Sequence, residues 1–112
     1  MPQRREPTFK ECLALMRKRD PQSAEDGFHF LRARAKERLP SLLEAFQAEE
    51  THSIRCWLLE LIAEARSEDA FAVLCEQALS SDESLRDRGI IGLELLNTKA
   101  SRTFLFENGL RR

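Results

Sequence analysis

Glycine is scarce and tyrosine is absent. The chain has four glycines, none of them between Gly27 and Gly89. β-Branched residues are also few, so tight hairpin turns and strand runs both lack their usual material. No apolar run approaches the ~18 residues needed to span a bilayer. The N-terminal MPQRREP has no apolar stretch behind its arginines and does not read as a secretory signal. Cysteine is sparse and odd in number. Cys12, Cys56 and Cys75 show no CxxC spacing, which argues against a disulfide framework and suits free thiols in the reducing cytosol. A glycine-rich phosphate loop, an HExxH pair and a His–Glu dipeptide are all missing.

What remains is charged and leucine-rich. The 112 residues are 33% charged and 42% hydrophobic, enough for one helical domain with a modest core. The net charge of −1 hides an asymmetry. Residues 1–38 carry ten Lys/Arg against six Asp/Glu, whereas residues 39–107 carry six against thirteen, and two arginines close the chain. An acidic second half suits a basic partner and suits nucleic acid poorly, although the basic RREP and MRKRD segments could touch a phosphate backbone.

The 3.6-residue pattern runs almost throughout, so the fold class is all-α. Helix starts are marked by Thr8 with Glu11, a capping box, by Asp20 before Pro21, and by Pro40. A repeat underlies the pattern. Leu13, Leu43, Leu74 and Leu105 are spaced by 30, 31 and 31 residues, with Cys12, Leu42, Val73 and Phe104 just before them. Ala24, Ile54 and Leu85 fall into the same register, as do Ala35, Ala65 and Leu96. Helix pairs are expected at 8–19 and 21–37, 40–49 and 52–66, and 69–80 and 83–97, with a last helix at 101–108. Residues 1–7 read as a flexible basic N-terminus, 8–108 as the single repeat domain, and 109–112 as a basic tail.

Helix 52–66 is apolar beyond its stripe of Ile54, Leu58, Leu61, Ile62 and Ala65, because Cys56, Trp57, Leu59 and Ala63 lie off it. A middle helix with neighbours before and after it explains that pattern. The stretches THSIRCWLLELIAEARSEDAFAVL and DESLRDRGIIGLELLNTKASRTFLF each open on a hydrophobic–Arg pair, Ile54–Arg55 and Leu85–Arg86. In this the chain resembles HEAT-repeat proteins over most of 8–108. The first repeat departs from the pattern with Glu25 in place of the arginine. The resemblance implies a short right-handed α-solenoid of about three helix pairs plus a terminal helix. It also implies a concave face formed by the second helices, and a structural role for Arg55 and Arg86 against the preceding turns.

At about 100° per residue, the side opposite the core stripe carries Asp26, His29 and Phe30 in the first repeat. It carries Cys56, Leu59 and Glu60 in the second, and Asp87, Ile90, Ile91 and Glu94 in the third. An apolar centre rimmed by carboxylates is the anatomy of a protein interface; the alternative is that helix twist turns some of these residues into the core. His52 and Cys56, four apart, could meet as a nucleophilic pair or as metal ligands, or be a helix-start histidine beside an interior thiol. Trp57 either packs on a neighbouring repeat or anchors an interface. Gly89 and Gly92 are expected to make room for Phe104 and Phe106.

The expectation is a cytoplasmic, non-catalytic module without metal, cofactor, small-molecule substrate or membrane contact. It would bind one basic protein, as an immunity protein blocks a bacterial toxin. An accessory subunit resembling those of bilin lyases, or a structural adaptor, are the alternatives.

Overall fold

The computed structural model describes residues 6–110. Four of the seven helices among the described residues begin where a side chain takes the first free N–H groups. α1 (Phe9–Met16) starts at Thr8, whose hydroxyl accepts from the Glu11 amide while the Glu11 carboxylate accepts from the Thr8 amide. α2 (Pro21–Ala33) starts at Asp20, which accepts from the Ser23 amide at 3.1 Å. α3 (Leu39–Ala48) carries Pro40 in its first turn, and α4 (His52–Glu64) follows Thr51. A short 3₁₀ turn (Glu68–Ala70) leads into α5 (Phe71–Ala78). Asp82 caps α6 (Glu83–Leu96), and Thr98 with Ser101 forms the capping box of α7 (Lys99–Glu107).

The described residues are all-helical, with no strand. Several boundaries differ from the expected ones: α1 ends at Met16 rather than at residue 19, and α5 begins at Phe71 after a 3₁₀ turn. α2 ends at Ala33 and residues 34–38 are turns, whereas α7 begins at Lys99 because Thr98 and Ser101 cap it earlier. Most of the two basic ends, residues 1–5 and 111–112, lies outside the described residues.

The helices pack in sequential pairs, α1 on α2, α3 on α4 and α5 on α6; α4 also packs on α2 and α6, and α7 on α6. The result is elongated, 56 × 26 × 22 Å. Burial follows the repeat along the second helices. Ala24, Phe28, Leu31 and Ala35 are buried, then Ile54, Leu58, Leu61 and Ala65, then Leu85, Gly89 and Gly92. The first helices need a correction. Leu13 and Leu43 are only half-buried, and the residues before them, Cys12 and Leu42, are fully buried in their stead, whereas Leu74 and Leu105 are buried as expected.

Two local devices recur at the same spacing. Arg55 donates to the Glu49 carbonyl at 3.1 Å and to the Phe46 carbonyl at 2.8 Å, and Arg86 donates to the Ser80 carbonyl at 3.3 Å. Both guanidinium groups thus donate to carbonyls at or just past the end of a first helix, where backbone donors run out. Arg66 and Asn97, 31 residues apart, both take a left-handed conformation just after a second helix (φ 48° and 50°).

Glu49, 8% exposed, joins α1 to the turn between α3 and α4. Its carboxylate accepts from Arg17 through both oxygens, Nη1 to Oε2 at 3.1 Å and Nη2 to Oε1, and from the Thr51 amide at 3.1 Å. The Arg17 hydrogen bonds are the main cause holding the carboxyl below its usual pKa, against the opposing effect of burial. Arg17 is half exposed, so Glu49→Gln should cost about 1–2 kcal/mol at pH 7, less than a fully buried pair. A depressed folded-state pKa gives stability that is complete above the unfolded value of about 4.3 and is lost as pH falls through the folded value. Urea unfolding should therefore separate the variant from wild type at pH 7 and bring the two together in acid. A gap unchanged at low pH would show that the charge contributes nothing.

Candidate functional site

α4 answers for its own apolarity. Enclosed by α2, α3 and α6, it buries Leu58, Leu59, Leu61 and Ile62 completely, with Cys56, Ala63 and Ala65 nearly so. The expected apolar ridge is therefore not at the surface. Leu59 (0% exposed), Cys56 (8%) and Ile90 (7%) are interior, and Phe30 is half-buried under the Arg34 guanidinium, 3.8 Å from its ring centre. α4 is covered on a second side because it packs on α6 as well as on α3. A Cβ on Gly92 of α6 would stand 3.1 Å from the Ala63 Cβ of α4. Of the expected apolar centre only Ile91, 37% exposed, faces solvent.

The expected acidic rim is also partly neutralised. Glu60 of α4 pairs with Arg88 of α6 at 3.4 Å, and Glu64 of α4 pairs with Arg32 of α2 at 3.3 Å. Asp26 accepts from Gln22, four residues earlier. Asp26, His29, Asp87 and Glu94 are exposed. The ion pairs tie the second helices together.

The structure does bring His52 and Cys56 together, and adds Asp82. The His52 Nε2 lies 3.7 Å from the Cys56 sulfur and 2.8 Å from the Asp82 Oδ2. Both contacts use the same ring nitrogen. A proton relay needs two, one toward the nucleophile and one toward the carboxylate. Burial pushes the Cys56 thiol above its usual pKa; Arg88 works against that and Asp82 adds to it. A thiol so placed is held protonated, the reverse of nucleophile activation. Among the described residues, no group of three His, Cys, Asp or Glu side chains is arranged to hold a metal ion.

Beside this pair is a cavity of about 520 Å³ between the N-terminal ends of α2, α4 and α6. Trp57 forms part of its wall and stacks on Phe28 of α2, with ring centres 5.0 Å apart at 24°. Trp57 thus packs on the neighbouring pair and lines an opening as well. Ser53, Ser84 and Arg88 supply polar lining that the helical pattern did not single out. A signal was present. Ser53 and Ser84 are 31 apart, and Arg88 stands one repeat after Trp57, a charge where the preceding repeat has an aromatic ring. No protein-family model, curated protein or solved structure matches the chain.

Proposed function

We propose that the chain is a non-catalytic HEAT-like module, a short right-handed α-solenoid that binds one protein partner across the exposed side of α2, α4 and α6. The observation that carries this reading is the contact of α4 with both α2 and α6, which joins the second helices of three pairs into one surface. The recurring Arg55 and Arg86 contacts support the repeat assignment.

Residues 6–110 carry fourteen Lys/Arg against nineteen Asp/Glu, and Asp26, Asp87 and Glu94 are exposed on the second helices. A basic protein is the partner such a surface attracts, and an inhibitor of a toxin or enzyme with a basic cleft fits that chemistry. Three thiols without a disulfide suit a reducing, cytosolic setting.

The partner isolated with the chain from its source cells is the reagent for the test. Asp26→Lys combined with Asp87→Lys should slow association by about tenfold at low ionic strength, with the difference shrinking as salt screens it. Ile91→Ala should instead speed dissociation. An acidic partner, or one indifferent to all three changes, would overturn the reading.

A further inference from the structure

We propose that the cavity between the N-terminal ends of α2, α4 and α6 binds a small apolar carboxylate, an organic acid bearing a ring or a short alkyl chain. This goes beyond the protein-binding reading and does not depend on it. At about 520 Å³ the space lies in the range of small-ligand pockets. Met16, Ile54 and Trp57 give it an apolar wall. Its polar lining is the Ser53 and Ser84 hydroxyls and the Arg88 guanidinium, with the His52 ring and the Cys56 thiol beside them.

The neighbouring carboxylates are already engaged. Asp82 accepts from the Leu85 amide at 2.9 Å and meets His52, and Glu60 meets Arg88 through Nη1 at 3.4 Å. Arg88 also reaches the Cys56 thiol, and the two contacts leave others of the five N–H groups of an arginine for further acceptors. The lining residues Ser53 and Ile54 also lie in the first turn of α4, where Thr51 makes no side-chain cap.

An acid is the ligand that satisfies these groups. Its carboxylate accepts from Arg88 and the hydroxyls, and a ring or alkyl chain covers Trp57 and Ile54. An amine of the same shape would meet the Arg88 charge, and a neutral amide would lack the charge-assisted bond. The same chemistry is offered by a free acid and by the C-terminal carboxylate of a peptide ending in an aromatic residue.

Trp57 is the sole tryptophan, so the emission of the whole chain reports on this cavity. Titration with 3-phenylpropionate should give a saturable change in that emission. Its amide should bind at least about tenfold more weakly, and 3-phenylpropylamine more weakly still. Arg88→Gln should lose about tenfold in affinity, with Arg88→Lys retaining part of it. Acetyl-Gly-Phe with a free carboxyl tests the second source: tighter binding than 3-phenylpropionate assigns a chain end, and weaker binding a free acid. Equal binding of acid and amide, or no saturable change up to about 10 mM acid, overturns the proposal. The comparison of acid, amide and amine uses wild-type protein and decides the matter even if the Arg88 variants fail to fold.

Discussion

Gly89→Ala should be among the most damaging single-methyl changes in this chain. A Cβ at position 89 would sit 2.5 Å from the Ala78 amide nitrogen and 2.9 Å from both the Gln77 carbonyl carbon and the Leu74 carbonyl oxygen. All three are backbone atoms of α5 or its last turn, so no side-chain rotation relieves the clash. α6 must move off α5. Overpacking of this kind costs about 3 kcal/mol or more, against which alanine recovers about 1 kcal/mol as the better helix former. The net loss of about 2 kcal/mol or more should lower the melting temperature by roughly 10 °C.

Gly92→Ala is the control. A Cβ there meets the Leu74 Cδ2 at 2.4 Å, the end of a side chain that can turn aside. It should cost less than half as much. Denaturant unfolding of the two variants decides the point, and a Gly92→Ala loss as large as that of Gly89→Ala would show that the helices are not in backbone contact.

The same geometry explains an irregularity between the pairs. Gly89 stands in the repeat where the middle pair has Leu58, and Gly27 lies one residue before the matching Phe28. Gly27 lets α2 lie against α1, since a Cβ there would be 2.5 Å from the Cys12 carbonyl oxygen, and Gly89 does the same for α6 on α5. The middle pair has leucine where the third has Gly89, and α3 and α4 approach less closely than the other two pairs. Leu58 is fully buried in the wider gap.

What the sequence disclosed was what depends on neighbours along the chain. Thr8 with Glu11, Asp20 with Pro21, and Pro40 mark helix starts because capping acts over three or four residues. Arg55 and Arg86 reach carbonyls of the preceding turn as the resemblance implied, and that contact spans only six residues. The capping box at Thr98 was equally local and was overlooked, because serine stands where glutamate or glutamine is usual.

Contacts between helices were not legible in the same way. The Glu60–Arg88 pair depends on how α4 is rotated against α6, and nothing near either residue signals it. Gly89 was expected to shelter Phe104 and Phe106. It lies instead against the α5 backbone, and Phe106 is 71% exposed. The periodic stripe located one buried side of α4, but the second side is set by a packing angle.

That second side gives the other large effect. Leu59→Ala should destabilise the chain by about 2–5 kcal/mol, the cost of an interior cavity. Leu59 is 0% exposed, and its neighbours Leu58, Leu61, Ile62 and Ala63 are almost equally enclosed. They lie on a helix held on three sides, which leaves little freedom to collapse into the lost volume. Leu43→Ala removes the same atoms from a half-buried site and should cost less than half as much, because solvent already reaches that side chain and fills the space. Had Leu59 stood at the centre of a binding face, its truncation would spare folding and accelerate release of the partner. Equilibrium unfolding of the isolated chain separates the two cases, since only an interior Leu59 lowers stability with no partner present. If Leu59→Ala matched wild type while Leu43→Ala fell by several kcal/mol, the packing of α4 against its neighbours would have to be redrawn.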